Sequence, residues 1–323
     1  MRPEIAVVIP TRNRAERLDH CLGSFVGQSI GDQRMEILVI DDGSKDATAE
    51  VIGRWSGSLP LRGLRQAPSG ASAARNLGLF ASSAPLALFF DDDEEATADL
   101  LERHLEAHAT FPGDHQAILG YTTWSPALRI TAFMHYVVEV GCSLYSYPHL
   151  RPGTPLEYHH FWTGRISVKR SFLINKGVFS PRVARLEDVE LGFRLRRHGL
   201  EIQYWPAARN FNPVPVRFRE FCRRACVDGE ALVRLLALHP TDPALAAYCD
   251  LEGAEERWRS ERREIDAWMI QADRLERELA PRSWSSESGA FEPLWEIYRR
   301  SIAAHRDRGI VHGLRTSSSL NIR

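Results

Sequence analysis

The stretch LALFFDDDEE, residues 86–95, joins a continuous apolar run to five consecutive acidic residues. An apolar run of this length that ends in polar residues is typical of a strand buried on both faces of a parallel sheet. The same arrangement occurs earlier, where ILVI at 37–40 precedes Asp41 and Asp42. Ligands of open α/β sheets bind at the carboxyl ends of the strands, so the two acidic clusters are expected to converge on one ligand.

Around these two segments, short apolar runs alternate with segments of helical period, which predicts an α/β fold with a mostly parallel sheet flanked by helices. Strands are predicted at 5–10, 35–40, 61–66, 85–90, 117–121, 161–169 and 201–205. Helices are predicted between them at 14–25, 46–55, 71–82, 97–109 and 188–198. From residue 216 onward the pattern is helical, with segments at 219–238, 254–279 and 292–305 and a polar end, 315–323, that is expected to fray.

Composition narrows the classes of function. The chain has 323 residues, and 41 basic against 42 acidic side chains give a net charge of -1, so nucleic acid is not an expected partner. Five scattered cysteines without a CxxC pair favour a reducing compartment. Neither a signal peptide nor an apolar run of about 20 residues is present, so the sequence predicts a cytoplasmic protein, in solution or peripheral at the inner face of the membrane.

A third acidic cluster, the pair Glu187 and Asp188, lies at the start of the helix predicted at 188–198. Carboxylates at strand ends suit a hard divalent cation that neutralises a diphosphate, and a further carboxylate can accept a proton from an acceptor hydroxyl. Simpler interpretations exist for each cluster taken alone. Asp41 and Asp42 could form a turn. The acids at 91–95 could interact with the positive amino end of a helix dipole. Glu187 and Asp188 could be ordinary acidic residues of a first helical turn.

Five motifs in order carry a resemblance. They read VVIPTRNRAERLDHCLGSFVGQS (7–29), ILVIDDGSKDATAEVI (37–52), ASAARNLGLFASSAPLALFFDDDEE (71–95), TGRISVKRSFLINKGVF (163–179) and LEDVELGFRLRRHGLEIQYWP (186–206). Together they resemble the family 2 glycosyltransferases, which are inverting enzymes of the GT-A fold. The resemblance covers roughly residues 4–206. It implies a Rossmann-like GT-A domain at 1–215, with a nucleotide-sugar half at 1–125 and an acceptor half at 126–215, followed by a helical C-terminal extension at 216–323.

The resemblance also implies roles for single positions. The metal would be Mn²⁺ or Mg²⁺, held at a DxD motif by Asp93 and Asp91, and the donor would be a UDP-, GDP- or dTDP-sugar. Asp188 would be the general base, with Glu187 beside it. The nucleotide would be bound by Pro10, Thr11, Arg12, Asp42, Arg75, Asp91 and Asp92. The acceptor or donor sugar would contact Gly164, Arg165 and Trp162.

Two departures from the family pattern leave alternatives open. Arg165 stands where the family often has asparagine; it could bind an anionic group, although a salt bridge to a nearby acid is the favoured interpretation. Asn210 and Asn212 follow the last predicted strand, where relatives place a histidine, so the third metal contact is open.

Trp162 could stack on a sugar, but core packing is its default.

The segment after residue 216 carries Arg217, Arg219, Arg223 and Arg224 around Phe218 and Phe221. These residues could bind an anionic membrane that carries a lipid-linked acceptor. A helix packed on its neighbours with its arginines exposed is the favoured alternative.

The sequence thus predicts an inverting glycosyltransferase of cell-surface polysaccharide, glycolipid or secondary-metabolite synthesis. A nicotinamide-dependent dehydrogenase or a sugar nucleotidyltransferase would need a glycine-rich turn after the first strand, where this chain has PTRNRAER. The remaining alternative is a non-catalytic nucleotide-sugar-binding relative that acts as a partner subunit. The presence of Asp91, Asp93 and Asp188 together favours the enzyme, because binding alone does not require a base.

Overall fold

The structure is a computed structural model that describes residues 2–280 and 289–320. It divides into two compact units. The first, here called the sheet unit, comprises Met1–Leu128 and Leu150–Val214. The second, the helical unit, comprises Arg129–His149 and Pro215–Arg323. The domain bounds expected from sequence remain a prediction, but the units differ from them in one segment: residues 129–149 group with the C-terminal helices.

The sheet unit is built on one eight-stranded sheet in the order β3-β2-β1-β4-β7-β6-β8-β5. Its strands are β1 Ile5–Thr11, β2 Met35–Asp41, β3 Leu61–Arg65, β4 Leu86–Phe89, β5 Glu95–Ala96, β6 Gln116–Trp124, β7 Ile166–Lys169 and β8 Glu201–Asn212. All strands run in one direction except β5 and β7, which pair antiparallel with their neighbours. The prediction of a mostly parallel sheet flanked by helices is confirmed.

The helices alternate with these strands and then dominate the C-terminal part. They are α1 Ala15–Gly23, α2 Thr48–Trp55, α3 Ala71–Ala81, α4 Leu100–Thr110, α5 Ala132–His135, α6 Arg170–Lys176, α7 Glu187–Arg196, α8 Phe218–Leu238, α9 Pro243–Cys249, α10 Ala254–Glu261, α11 Ile265–Leu279 and α12 Glu292–Leu320. The helix predicted at 254–279 is interrupted by three charged residues at 262–264. Since α12 continues to Leu320, the prediction of a frayed end is wrong up to that residue, and 321–323 lie outside the described residues.

The core of the sheet unit holds the strands that carry the acidic clusters. The five residues from Ile5 to Ile9 are completely buried, and Phe25 packs edge-on against Phe90 with ring centroids 5.1 Å apart. Gly78 allows α3 to lie close to the sheet, because a Cβ there would come within 2.4 Å of a Val8 methyl group. The close contact of α3 with β1 positions the side chains of the preceding helical turn above the sheet edge.

The helical unit has its own aromatic core. Phe133 lies 5.3 Å from Phe218, 5.5 Å from Phe221 and 4.9 Å from Tyr298, measured between ring centroids. Helix α8 therefore buries its phenylalanines within its own unit while Arg219 and its neighbouring arginines remain exposed, as the favoured interpretation expects. Among the described residues, no helix combines the length and the apolar character needed to cross a membrane.

Candidate active site

The loops that follow β1 and β2 are joined at the carboxyl edge of the sheet. Asn13 has a φ of 52° and accepts a hydrogen bond from the Lys45 amide at 2.8 Å, while its own amide donates to Ser44 Oγ at 2.9 Å. Asp41 accepts from the Ser44 amide at 2.7 Å and from Arg65 Nη1 at 2.6 Å. Asp41 thus serves the turn, which is the simpler of the two interpretations of this cluster.

Asp42 is buried and holds the loop that leads into α3. Its Oδ1 accepts from Gln66 Nε2 and the Ser69 amide, both at 2.7 Å, and its Oδ2 accepts from the Gly70 amide at 3.0 Å. Burial by itself would raise the pKa of Asp42, but these donors keep the pKa below its usual range. The half-exposed Arg12 lies 3.8 Å away. Asp42 is therefore an ionised carboxylate in a long ion pair with the guanidinium of Arg12.

The three aspartates after β4 differ in their sets of partners, although Asp92 and Asp93 share Arg14. Asp92 is buried and accepts from Thr11 Oγ1 at 2.7 Å and from Arg14 Nη1 at 2.8 Å, and burial raises its pKa to about 6. It ties β4 to the end of β1, where Pro10 is half-buried beside Thr11. Asp92 therefore has a structural role in this structure, and its contact with the nucleotide stays a prediction.

Asp93 faces helix α1. Its Oδ2 accepts from Arg14 Nη1 and from Arg17 Nη1, each at 3.1 Å. Burial and the charge of Asp91 raise the pKa of Asp93, against the effect of the two arginines. The repulsion between Asp91 and Asp93 is of the kind that a bound cation would relieve.

Asp91 contacts α3, through Arg75. Arg75 is only 5% exposed, and its guanidinium bridges two acids, with Nη2 3.2 Å from Asp91 Oδ1 and Nη1 2.6 Å from Glu187 Oε1. The same guanidinium lies 5.6 Å from the centroid of the Phe179 ring. Although burial disfavours the charged form, Asp91, Glu187 and Asp188 raise the pKa of Arg75. One buried cation therefore brings together the acids after β4 and those at the start of α7.

Helix α3 also holds the loop that precedes α7. The Asn76 amide group donates to the Phe179 carbonyl at 2.8 Å and accepts from its backbone amide at 3.0 Å, while Ser72 Oγ donates to the Val183 carbonyl at 3.2 Å. The loop ends in Leu186, whose φ of 60° is a left-handed conformation that is costly for a leucine. The contacts with α3 stabilise this conformation, which turns the chain into Glu187.

Asp188 is half-buried at the amino end of α7. Its Oδ1 accepts from the Val189 amide at 2.8 Å, and its Oδ2 lies 3.3 Å from the Thr163 amide and 3.4 Å from Thr163 Oγ1. Burial, followed by the charge of Glu187, raises its pKa to about 6. A carboxylate with this pKa is ionised at neutral pH and still basic enough to accept a proton.

A buried polar network connects Glu94, three residues after Asp91, with Arg165 and Asn210. Glu94 Oε1 accepts from Arg165 Nη2 at 2.7 Å, and Glu94 Oε2 accepts from Asn210, which in turn accepts from Thr122 Oγ1 at 2.9 Å. Burial raises the pKa of Glu94 to about 8, against the effect of Arg165. Arg165 therefore makes the salt bridge to a nearby acid that the sequence favoured. Glu94 was not singled out from sequence, although its place three residues after Asp91 was a signal.

The other residues expected near the sugar or the metal are less enclosed. Trp162 is half-buried, with its ring 5.0 Å from that of His160, and the completely buried neighbour is Phe161. Core packing thus falls to Phe161 rather than to Trp162. Asn212 caps the end of β8 by accepting from the Val214 amide at 2.8 Å.

The carboxylates after β4 are suitable ligands for a divalent cation. In the described part of the chain, no three His, Cys, Asp or Glu side chains form a ready-made metal site. Asp91 Oδ2 and Asp93 Oδ1, however, accept no hydrogen bond from any described residue, because the pairs with arginine use the other oxygen of each group. Mg²⁺ is commonly held by one or two carboxylates together with substrate phosphates and water, and these two oxygens fit that pattern.

Gly164 is expected to be required next to Asp91. Its φ is 95°, and a Cβ at this position would come within 2.8 Å of Asp91 Oδ2. Gly164→Ala should therefore destabilise the fold by about 1–3 kcal/mol and also displace the Asp91 carboxylate. Gly199→Ala is a matched control, since Gly199 has a φ of 80° and nothing lies within 4 Å of its added Cβ. If both variants bind a nucleoside diphosphate equally well in Mn²⁺, the steric role of Gly164 is contradicted.

The amino-terminal part of the chain matches a known protein family. Residues 6–120 match the model of the family described as Glycosyl transferase family 2, which confirms the resemblance drawn from the motifs. Validoxylamine A glucosyltransferase of Streptomyces hygroscopicus subsp. jinggangensis is 30% identical over 222 residues, 61% of this chain and 52% of that protein. The poly(ribitol-phosphate) beta-N-acetylglucosaminyltransferase TarP of Staphylococcus aureus is 35% identical over 106 residues, 32% of this chain and 31% of that protein. The chain thus spans about half the length, or less, of these relatives.

Solved structures show the same fold. The mannosyltransferase PcManGT from Pyrobaculum calidifontis, in complex with GDP-Man and Mn²⁺, superimposes with a TM-score of 0.64 at 21% identity, over 97% of this chain and 88% of that one. TarS of S. aureus, residues 1–349 in complex with UDP, gives a TM-score of 0.52 at 15% identity, over 97% of this chain and 92% of that one. These likenesses confirm the predicted GT-A fold class.

Proposed function

We propose that this chain, which carries a family 2 glycosyltransferase sequence on a GT-A fold, transfers a sugar from a nucleotide-diphosphate donor to a hydroxyl acceptor with inversion at the transferred carbon. The observation that carries the proposal is the position of Arg75, which pairs with Asp91 at 3.2 Å and with Glu187 at 2.6 Å. A donor-binding carboxylate and the acidic pair that contains the base are thereby held on one side of the sheet edge. Transfer needs both groups in one site, the first at the donor and the second at the acceptor hydroxyl.

Asp91 and Asp93 are proposed to hold Mn²⁺ or Mg²⁺ through Asp91 Oδ2 and Asp93 Oδ1. When bound, such an ion would act as a Lewis acid on the diphosphate leaving group. The complexes of PcManGT with GDP-Man and Mn²⁺ and of TarS with UDP support a nucleotide ligand and a divalent metal. Arg12 and Asp42 are proposed to contact the nucleotide, since they lie together at the ends of β1 and β2.

Asp188 is proposed to accept the proton of the attacking hydroxyl at its carboxylate. Thr163 contacts Asp188 Oδ2 and so orients the group. Glu187 keeps its place through Arg75, and its charge adds to the effect of burial, which is the larger cause that keeps the pKa of Asp188 above that of an ordinary aspartate. Gly164, Arg165 and Trp162 are proposed to border the acceptor or the donor sugar. Cell-surface polysaccharide, glycolipid and secondary-metabolite synthesis are the proposed settings.

Nucleoside diphosphate binding is expected to depend on a divalent cation. Because Asp91 and Asp93 place two negative groups where the diphosphate would lie, UDP or GDP should raise the Tm of the protein in Mn²⁺ or Mg²⁺ and should lose this effect in excess EDTA. Thermal unfolding with each nucleotide, with and without the metal, measures this. Equal stabilisation in EDTA would sink the metal assignment. Asp114→Asn, an exposed change in the same unit, should retain the metal dependence.

A further inference from the structure

A pocket in the helical unit has a strongly basic wall. It has a volume of about 460 Å³ and is lined by Trp258, Arg262, Arg263, Ile265, Asp266 and Arg308. Clefts that bind small ligands typically measure about 300–1,000 Å³; this pocket has a volume in that range but is widely open to solvent, so a ligand there would stay partly exposed. It forms where α10 passes into α11 and where α12 contributes Arg308.

The charges of this pocket are not balanced. Three guanidiniums face one carboxylate, that of Asp266. Within the described residues, Arg262, Arg263 and Arg308 have no carboxylate at salt-bridge distance. Other arginines of the unit do have acidic partners: Arg257 lies 2.8 Å from Asp307, Arg300 lies 3.4 Å from Glu261 and Arg259 lies 2.9 Å from Glu255. Exposed arginines that lack acidic partners and line one surface depression leave a positive potential there.

Two further features of the pocket suit an anion attached to a less polar group. The wall includes Ile265 and Asp266, the first residues of α11, so the amino end of a 15-residue helix adds a positive partial charge. Trp258 is half-buried, and the guanidinium of Arg308 lies over its ring, 5.9 Å from the centroid, so an aromatic ring and a cation lie together in the wall. Tryptophan faces commonly pack against the apolar faces of small ligands.

We propose that this pocket is a second ligand site, separate from the donor site, that binds a phosphate-bearing small ligand. Arg262, Arg263 and Arg308 bind the phosphate, since the planar guanidinium matches phosphate oxygens with paired hydrogen bonds. Trp258 contacts the rest of the ligand. A soluble phosphorylated polyol or saccharide and a phospholipid head group share this chemistry.

The chain of 323 residues should be titrated with inorganic phosphate and glycerol 3-phosphate by calorimetry. EDTA is included so that a metal-dependent donor site does not contribute. Vesicles of phosphatidylcholine with and without phosphatidylglycerol form the second arm, measured by co-sedimentation. Removing charged hydrogen bonds should weaken binding about tenfold or more in Arg262→Gln/Arg263→Gln and in Arg308→Gln. Arg277→Gln removes an exposed charge of α11 outside the pocket and should change affinity less than about twofold.

Each outcome decides the matter. Pocket-dependent binding of glycerol 3-phosphate supports the site with a soluble ligand, and pocket-dependent binding of only the phosphatidylglycerol vesicles supports it with a lipid head group. Absence of binding in both arms overturns the proposal. So does a loss of binding in Arg277→Gln equal to that in the pocket variants, because general charge attraction would then explain it. All four replaced arginines are exposed, and circular dichroism should verify that the variants are folded.

Discussion

Replacement of Asp188 by asparagine is expected to lower kcat by about 10²–10⁴-fold, which is the usual contribution of a general base. The amide keeps the size of the carboxylate; its oxygen can still accept from the Val189 amide, and its NH2 group can donate to Thr163 Oγ1, so the fold should be retained. Steady-state transfer with a nucleotide sugar and thermal unfolding with the nucleotide measure the two properties separately. Binding of the donor should change little, because the replaced group is not one of the proposed donor contacts.

The pH profile supplies an independent check of Asp188. Its pKa is raised to about 6, chiefly by burial, and only the ionised form can accept a proton. The kcat/KM of the wild type should therefore rise as the pH increases through about 6 and then level off. In Asp188→Asn this limb should be absent from the residual activity. Normal turnover by the variant would show that Asp188 is not the base. If neither the wild type nor the variant transfers sugar, the non-catalytic nucleotide-sugar-binding alternative is favoured.

Replacement of Arg75 by methionine is expected to destabilise the sheet unit by about 3–5 kcal/mol, the usual cost of removing one partner from a buried ion pair. Arg75 is 5% exposed, and its guanidinium lies between Asp91 and Glu187 and pairs with both. Methionine fills a similar length but leaves the two carboxylates without a counter-charge. Urea unfolding followed by circular dichroism measures the change.

Two variants make this prediction specific. Arg54→Met removes an exposed arginine whose pair with Asp19 is open to water, and it should cost no more than about 1 kcal/mol. Arg75→Met combined with Glu187→Gln should be less destabilised than the sum of the single changes, because one of the two carboxylates is then neutral. A loss in Arg75→Met no larger than that in Arg54→Met contradicts the role of Arg75 as the cation that joins the site.

Most of the sheet was predictable because each of its main strands is a short, continuous apolar run in the sequence. The apolar runs that became β1, β2 and β4 are buried at nearly every position, and their ends were placed within one or two residues. β5 has only two residues and exists because it pairs with β8. The second half of β8 alternates buried and exposed residues and was missed, whereas β7 begins later than predicted because Gly164 turns the chain before it.

The site was predictable only in part. The sequence places the acidic clusters at strand ends and at the start of α7, but it does not tell which arginine each acid meets. Arg14 and Arg17 form ion pairs with Asp93, Arg75 pairs with Asp91, and Arg165 pairs with Glu94. The last of these pairs joins residues 71 positions apart.

The sequence by itself determined the fold class, the family resemblance and the edge of the sheet where the acids gather, because apolar periodicity and turn chemistry act over a few neighbouring residues. Only the tertiary structure decided the roles within the aspartate run: Asp92 is used to tie β4 to β1, while Asp91 and Asp93 each keep one oxygen free of hydrogen bonds from the described residues. It also decided that the arginines at 262, 263 and 308 meet in one pocket. The physical reason is that burial and charge pairing depend on residues far apart in the chain, and no local pattern records them.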